Sequence, residues 1–338
     1  MAKKILFIYT NFSTFVKTDF EILSEVYHVR RYQFKPVKGL LKTAWQMLSQ
    51  LFFLLLNIWK FDAVFIWFAD YHSFLPVLFA KILGKKSFVV IGGYDICRVR
   101  SLNYGVFTSK FRSIFAYYSM RYCSLNLTVS KYVDRRLKWI LPDSNREMIY
   151  NSVRLKNENI NTDKKKLVLT VGQINNRQTF FRKGIDTFVE VARKRPDYDF
   201  IVVGIDQNNF KDLLRDTPAN LVLFNKIEQQ DLIKYYSKAK YYAQFSRMDT
   251  FCLTLAESML FGCYPIITNE GGMPEVIGKH GEIVKRDSSE VASIIENTII
   301  PIETNHNIID HVSNNFSPNI REQLILKLIS KNFNSTNT

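Results

Sequence analysis

The stretch SRMDTFCLTLAESMLFGCYPIITNEGGMPE, Ser246 to Glu275, is the part of this chain that determines its fold. An apolar segment, Tyr241 to Phe245, precedes it and predicts a strand. Within the stretch, Leu253 to Phe261 predicts a short helix and Tyr264 to Thr268 a second strand, before a Gly-Gly-x-Pro-Glu turn. The pattern is therefore a strand, helix, strand unit of an α/β protein.

Two acidic residues frame the start of the predicted helix. Asp249 lies just before it and Glu257 in its early turns, so the pair does not share one helical face. A helix N-terminus has unpaired N–H groups and a partial positive charge, which suits a phosphate. Carboxylates beside such a site would bind sugar or ribose hydroxyls, and the Thr254 hydroxyl would add to the same cradle.

The stretch resembles the acidic signature of the retaining GT-B glycosyltransferases of group 1, family 4. In that family two Glu residues separated by seven others flank a Gly-containing turn, and Glu-Ala-Met, a Gly, a Pro-Val-Ile strand and Gly-Gly-x-Pro-Glu follow. The corresponding residues here are Asp249, Glu257-Ser258-Met259, Gly262, Pro265-Ile266-Ile267 and Gly271-Gly272-Met273-Pro274-Glu275. Two positions differ, because Asp249 replaces the first Glu and Cys252 replaces the turn Gly.

The resemblance implies a GT-B fold with two doubly wound, Rossmann-like domains that face a central cleft. It implies transfer of a hexose-like unit, with retention, from a UDP- or GDP-linked donor to a polysaccharide or lipid-linked saccharide acceptor in cell-envelope glycan synthesis. Asp249 would hold the donor sugar and Glu257 the ribose. No cofactor and no metal ion are expected.

The resemblance also assigns the remaining donor contacts. In the family a Gly-Arg pair after the first strand of the second domain and a Lys-Gly pair at the start of the next helix place two cations on the donor diphosphate. Lys183 matches the Lys, whereas Gln173 follows Gly172 in place of the Arg, so Arg177 or Arg182 would supply the second charge. Four further candidates for nucleotide contacts are Gly204, Ile227 in the base-binding loop, Leu253 and Thr254.

The first half contains one candidate catalytic carboxylate. Gly92-Gly93-Tyr94-Asp95 follows an apolar strand, Lys86 to Ile91, and ligands bind at such strand ends in open α/β sheets. Asp95 is therefore a candidate general base. The alternative interpretation is a tight turn in which Asp95 is a helix N-cap.

The positive charge of the chain is concentrated in its first half. Residues 1–150 contain 22 Lys and Arg but 9 Asp and Glu, a net charge of +13, whereas the rest of the chain carries +2. This asymmetry indicates either a solvated basic surface or an anionic partner such as a membrane. No nucleic-acid recognition motif accompanies the charge, so nucleic acid is not an expected partner. Cys and His show no metal-ligand spacing, which is typical of a reduced, cytoplasmic, metal-free protein.

The segment Leu40 to Trp59 allows two interpretations. It predicts a helix that is apolar all round at residues 51–56 and has lysines at its flanks. Its uncharged run, Thr43 to Trp59, is too short to span a bilayer. The helix is either buried in the core or inserted at an anionic membrane surface, which would make the protein peripheral on the inner face of the plasma membrane.

We expect an acceptor-binding domain at 1–152, a linker at 153–165, a nucleotide-sugar domain at 166–312 and a C-terminal helix at 313–338 that crosses back to the first domain. Two other functions are compatible with the sequence. One is a degenerate GT-B protein that binds a membrane or partner without catalysis. The other is an NDP-sugar epimerase.

Overall fold

The computed structural model describes residues 2–155 and 164–334. Most of the predicted linker, residues 156–163, therefore lies outside the described residues. The chain divides into two compact units, one of residues 1–152 together with 318–338 and one of residues 153–317.

The first unit is built on a parallel sheet of six strands in the order β2-β1-β3-β4-β5-β6. Three of its strands, β1, β3 and β4, are continuous apolar runs, as expected where helices cover both faces of a sheet. In chain order its elements are β1 (Lys4–Tyr9), α1 (Thr14–Val26), β2 (His28–Gln33), α2 (Leu40–Asn57), β3 (Ala63–Trp67), α3 (Tyr71–Ile82), β4 (Lys86–Ile91), α4 (Lys110–Tyr122), β5 (Leu125–Thr128), α5 (Lys131–Ile140) and β6 (Arg146–Met148).

The second unit repeats this architecture with a parallel sheet in the order β12-β11-β10-β7-β8-β9. Its elements are β7 (Lys165–Ile174), α6 (Arg177–Lys183), α7 (Ile185–Lys194), β8 (Asp199–Ile205), β9 (Leu221–Phe224), α8 (Gln229–Lys238), β10 (Ala239–Gln244), α9 (Leu253–Leu260), β11 (Tyr264–Thr268), α10 (Met273–Ile277), β12 (Glu282–Val284), α11 (Ser288–Asn297) and α12 (Ile302–Phe316). The last helix, α13 (Pro318–Asn334), belongs to the first unit. The predicted class, two doubly wound α/β domains, is confirmed.

Each sheet has one point at which the order of strands reverses. In the first sheet the chain adds β2 on one side of β1 and then β3 on the other, and in the second sheet β8 and β10 flank β7 in the same way. Ligands of open α/β sheets bind outside the carboxyl ends of the strands at such a switch point. The topology therefore predicts a ligand site at the ends of β1 and β3 in one unit and at the ends of β7 and β10 in the other.

Three features of the second unit are not evident from its sequence. Strand β7 continues beyond Val171 to Ile174, with an irregular register against β8. The segment that follows β7 contains α6. The Asn-rich segment near the end of this unit forms α12, whose hydrophobic positions, such as Ile308 and Val312, are buried.

Helix α13 is fixed to α1 by a buried ion pair. Arg321 donates from Nε and Nη2 to the two carboxylate oxygens of Asp19, at 2.6 and 2.7 Å. Its Nη1 donates to the carbonyls of Ile149 and Tyr150, at 3.1 and 2.7 Å. Both charged groups are buried and fully engaged, so they fasten the end of the chain to the first unit.

Helix α2 has one buried and one exposed face. Gln50, Leu54 and Ile58 face the core, and the Gln50 side chain donates to the His72 carbonyl at 2.9 Å. Six large apolar side chains on the other face of α2, and a seventh on the short turn that follows it, are exposed. None of the helices within residues 2–155 and 164–334 is long and apolar enough to cross a membrane. The exposed face of α2 shows that complete burial of this helix, one of the two interpretations of the sequence, is wrong.

Candidate functional site: a charged cluster at the ends of β7 and β10

The site begins with an ion pair between two residues that are far apart in sequence. Lys183 Nζ lies 2.7 Å from Asp249 Oδ2, and the two side chains are 12% and 13% exposed. Burial alone would raise the pKa of Asp249, but the charges of Lys183 and Arg182 hold that pKa below its ordinary value. Asp249 is therefore an anion at neutral pH, next to two cations.

Lys183 reaches this position from the end of a helix, not from its start. It is the last residue of α6, and Gly184 follows with φ +71° before α7 begins. A Cβ at Gly184 would lie 2.0 Å from the Phe245 carbonyl oxygen, so the turn requires glycine. A lysine in the last turn of a helix is favourable, because the helix dipole is negative at that end.

The two arginines that the sequence left as alternatives occupy different places. Arg182 Nη1 donates to the Met248 carbonyl at 3.2 Å, next to Asp249. Arg177 pairs instead with Asp212, in an exposed contact. The structure thus brings Arg182, and not Arg177, to the ion pair.

The end of β7 forms the floor of the cluster. Gly172 and Gln173 lie inside the irregular end of this strand, and a Cβ at Gly172 would lie 3.5 Å from Lys183 Cε. Gly204, at φ +90°, is required for a different reason, because a Cβ there would lie 1.9 Å from the Gly172 carbonyl oxygen. Gln173 is exposed on the strand where the family has Arg.

Helix α9 starts beside the same strand end. The Thr254 hydroxyl donates to the Val171 carbonyl at 3.2 Å and accepts a hydrogen bond from Tyr242 at 2.8 Å. Cys252, before Leu253, adopts a left-handed conformation with φ +62° and makes no side-chain capping bond. A residue with a Cβ is strained there by roughly 1–2 kcal/mol, which explains why glycine suits this position. Burial raises the pKa of the Cys252 thiol to about 12, so it stays neutral.

Glu257 lies one turn further along α9. Its carboxylate accepts a hydrogen bond from the hydroxyl of buried Tyr236 at 3.2 Å. Burial raises the pKa of Glu257 to about 7, although the tyrosine bond works in the opposite direction. Ile227 is half-buried in the loop between β9 and α8. Within the described residues, no group of three or more His, Cys, Asp or Glu side chains is arranged to hold a metal ion.

Asp95 in the first unit is enclosed by backbone groups. Its carboxylate is fully buried and accepts hydrogen bonds from the backbone N–H groups of Ala69, Gly92 and Gly93, at 3.1, 3.3 and 2.7 Å. Burial raises its pKa to about 7 against these bonds. These bonds join the ends of β3 and β4, and the role of Asp95 as a general base stays a prediction.

The first unit has instead a cavity of about 580 Å³ at its own switch point. Thr10 and Asn11, after β1, and Asp70 and Tyr71, after β3, are among its lining residues. Inside it, Arg112 pairs with Asp70 through two nitrogens, and its third nitrogen donates to the Tyr94 hydroxyl at 2.9 Å.

This cavity combines apolar and charged groups. The Arg112 guanidinium lies over the rings of Tyr94 and Tyr71, 5.2 and 5.6 Å from their centroids. Asp70 also caps α3 in a capping box with Ser73. The sequence offered a signal that we missed, an Asp-x-x-Ser motif directly after a buried strand.

Residues 153–311 match the family model of the glycosyl transferases group 1. This segment contains both cations, the paired carboxylate and α9. The second unit is a group 1 glycosyltransferase domain. None of the curated proteins matches the chain.

The chain aligns over nearly its whole length with several solved structures. Sucrose-phosphate synthase of Thermosynechococcus elongatus aligns with a TM-score of 0.77 at 14% identity, covering 98% of this chain and 100% of that chain. HepE of Anabaena in complex with UDP aligns with a TM-score of 0.69 at 15% identity over 97% and 100%. The lipopolysaccharide outer core galactosyltransferase WaaB, in its apo form, aligns with a TM-score of 0.69 at 14% identity over 97% and 99%. These likenesses establish the GT-B fold of the chain.

Proposed function

We propose that this chain transfers a sugar, with retention, from a UDP- or GDP-linked donor to a saccharide acceptor. The observation that carries the proposal is the Lys183–Asp249 ion pair, with Arg182 beside it, at the switch point of the group 1 domain. The Anabaena protein of the same fold is known in complex with UDP and with UDP-glucose, which supports the choice of nucleotide.

Both members of the ion pair would change partner when a donor binds. A diphosphate placed at the end of β7 and the start of α9 would attract Lys183 and Arg182, because it carries more negative charge than one carboxylate and offers several acceptor oxygens. Asp249 would then be released to accept a hydrogen bond from a hydroxyl of the donor sugar. The same cations would stabilise the negative charge that builds on the departing diphosphate. Because these cations supply the positive charge that the departing diphosphate requires, this step needs no metal ion.

Glu257 is proposed to hold the ribose. A carboxylate accepts two hydroxyl hydrogen bonds, and Tyr236 uses only one of its two oxygens. Ile227 is proposed to contact the base, together with the backbone of its loop. Neither the Glu257 side chain nor the Ile227 side chain would distinguish uracil from guanine.

The acceptor is proposed to bind in the cavity of the first unit. The Asp70 carboxylate would accept hydrogen bonds from sugar hydroxyls, and the Arg112 guanidinium would donate to them. The rings of Tyr71 and Tyr94 offer flat apolar faces for a sugar ring. The excess positive charge of the first half favours an acceptor at an anionic membrane surface, as in cell-envelope glycan synthesis on the cytoplasmic side.

Titration calorimetry with UDP, GDP and their sugars tests the proposal, followed by product analysis with and without added saccharide. We expect specific binding of one nucleotide and products only when an acceptor is present. A protein that only docks to a partner would give no specific heat. An epimerase would convert the nucleotide sugar without any acceptor.

A further inference from the structure

Helix α2 presents an apolar stripe to the outside of the first unit. We name α2-stripe the set of large apolar side chains on its outer face and on the short turn that continues it to Lys60; each is between 46% and 89% exposed. The α2-stripe consists of Leu41, Trp45, Leu48, Phe52, Leu55, Leu56 and Trp59. Their spacing of mostly three and four residues places them on one side of the helix.

The α2-stripe is too large to be an ordinary feature of a protein surface. Single exposed apolar residues are common, but a continuous apolar helix face of this length marks a binding surface. The opposite face of α2 is already packed on its own unit through Gln50, Leu54 and Ile58. The helix would therefore not have to leave the fold in order to bind a partner with its outer face.

The charge around the α2-stripe indicates which partner it binds. From Val26 to Phe61 the sequence contains no Asp or Glu, and its six Lys and Arg are Arg30, Arg31, Lys35, Lys38, Lys42 and Lys60. Lys35, Lys38 and Lys42 are exposed at the N-terminal end of the helix. Bulky apolar side chains bordered by cations, with tryptophans at positions 45 and 59, match the interface of an anionic bilayer, where apolar groups enter the acyl boundary and lysines contact phosphates.

We propose that the α2-stripe binds the surface of an anionic lipid bilayer, with α2 lying in the plane of the membrane. Gly39 and Thr43, at the start of α2, line the cavity that contains Asp70 and Arg112. The cavity therefore lies within roughly one helix diameter, about 10–12 Å, of the bilayer. This short separation favours an acceptor saccharide linked to a membrane lipid over a free polysaccharide. The choice of acceptor rests on the proposed function, whereas the binding surface does not.

Flotation with vesicles tests the surface directly. The full chain is mixed with vesicles of phosphatidylcholine alone or of phosphatidylcholine with phosphatidylglycerol, at low salt. We expect flotation with the anionic vesicles, and we expect the double variant Trp45→Ser/Phe52→Ser to weaken it by more than about tenfold. The variant Lys38→Gln/Lys42→Gln should weaken it by about thirtyfold, and added salt should have the same effect.

Matched controls come from α5 of the same unit. Trp139 is 74% exposed there, and Arg135 and Lys138 are exposed beside it. Trp139→Ser and Arg135→Gln/Lys138→Gln should float as the wild type does. Nucleotide binding, measured on all variants by calorimetry with UDP and with GDP, reports on the second unit and should not change. A wild type that binds neither nucleotide would contradict the proposed function and leave the vesicle result intact.

Three outcomes would overturn the inference. The wild type could stay in the soluble fraction with anionic vesicles, or the α2 variants could float as well as the wild type. Light scattering without lipid could also show a dimer that the Trp45→Ser/Phe52→Ser variant converts to monomers. In that case a second copy of the chain, and not a bilayer, would be the partner of the α2-stripe.

Discussion

At the scale of single residues, the central feature is the ion pair between a lysine and an aspartate at the proposed donor site. Lys183 and Asp249 are 66 positions apart, and the contact between them is set by the positions of β7, α6 and the loop before α9. A buried pair of this kind is costly to break unless another charge takes its place. In the proposed function the donor diphosphate supplies that replacement charge.

Arg182 and Arg177 give the first prediction, because the sequence could not choose between them. Arg182→Gln should lower the affinity for UDP by about 10- to 100-fold, since it removes one charge-assisted contact to phosphate. Arg177→Gln, which affects only the exposed pair with Asp212, should bind UDP as the wild type does. Calorimetric titration measures both. Equal losses in the two variants would contradict the assignment of Arg182.

Glu257 gives a prediction about pH. Its folded pKa of about 7 lies above the ordinary value of 4.5, so the folded protein favours the protonated carboxyl. Its contribution to stability is therefore complete below pH 4.5 and is lost as the pH rises through about 7. Glu257→Gln should flatten the fall of Tm between pH 5 and pH 8.

The control for this measurement is Glu228→Gln, an exposed residue of the same unit. Its pH dependence should follow that of the wild type. Scanning calorimetry of the three proteins at several pH values provides the comparison. A wild-type slope that survives in Glu257→Gln would show that another group is responsible.

At the scale of elements, α13 is held to the first unit by one ion pair and a hydrophobic face. Arg321→Met would leave the Asp19 carboxylate buried without its cation, which costs about 3–5 kcal/mol of the free energy of unfolding. Lys327→Met, on the exposed side of α13, should change it by less than about 0.5 kcal/mol. Denaturant unfolding measures both variants.

The double variant Asp19→Leu/Arg321→Met separates two causes of this loss. It removes both charges, so it should recover part of the stability that Arg321→Met loses. Recovery should be incomplete, because the carbonyls of Ile149 and Tyr150 also lose their donor. A double variant no more stable than Arg321→Met would show that the ion pair is not the main cause.

The elements also show what a sequence pattern can and cannot predict. Buried parallel strands such as β3 and β4 are continuous apolar runs, and they are recognised without knowledge of their neighbours. The break between α6 and α7 depends on the close approach of Gly184 to the Phe245 carbonyl, which lies 61 residues away. Local patterns carry no information about such a contact. The sequence therefore predicted Lys183 at the start of a helix, whereas it lies at the end of α6.

At the scale of the whole molecule, the sequence predicted the class of fold better than it predicted the environments of single residues. Asp249, Thr254 and Lys183 were recognised by their order along the chain, and the structure brings them to one strand end. The burial of Asp95 and the pairing of Asp70 with Arg112 were not predicted, because both depend on which strands become neighbours. Topology, more than any single motif, locates the two candidate sites at the switch points of their sheets.

The most direct test of the central claim is calorimetric titration of UDP and GDP into the wild type and into Lys183→Met. We predict that one of the two nucleotides binds the wild type specifically and that the variant loses at least about tenfold in affinity while it remains folded by thermal melting. Equal heats for wild type and variant would contradict the account, because they would show that the cation paired with Asp249 does not bind the donor diphosphate.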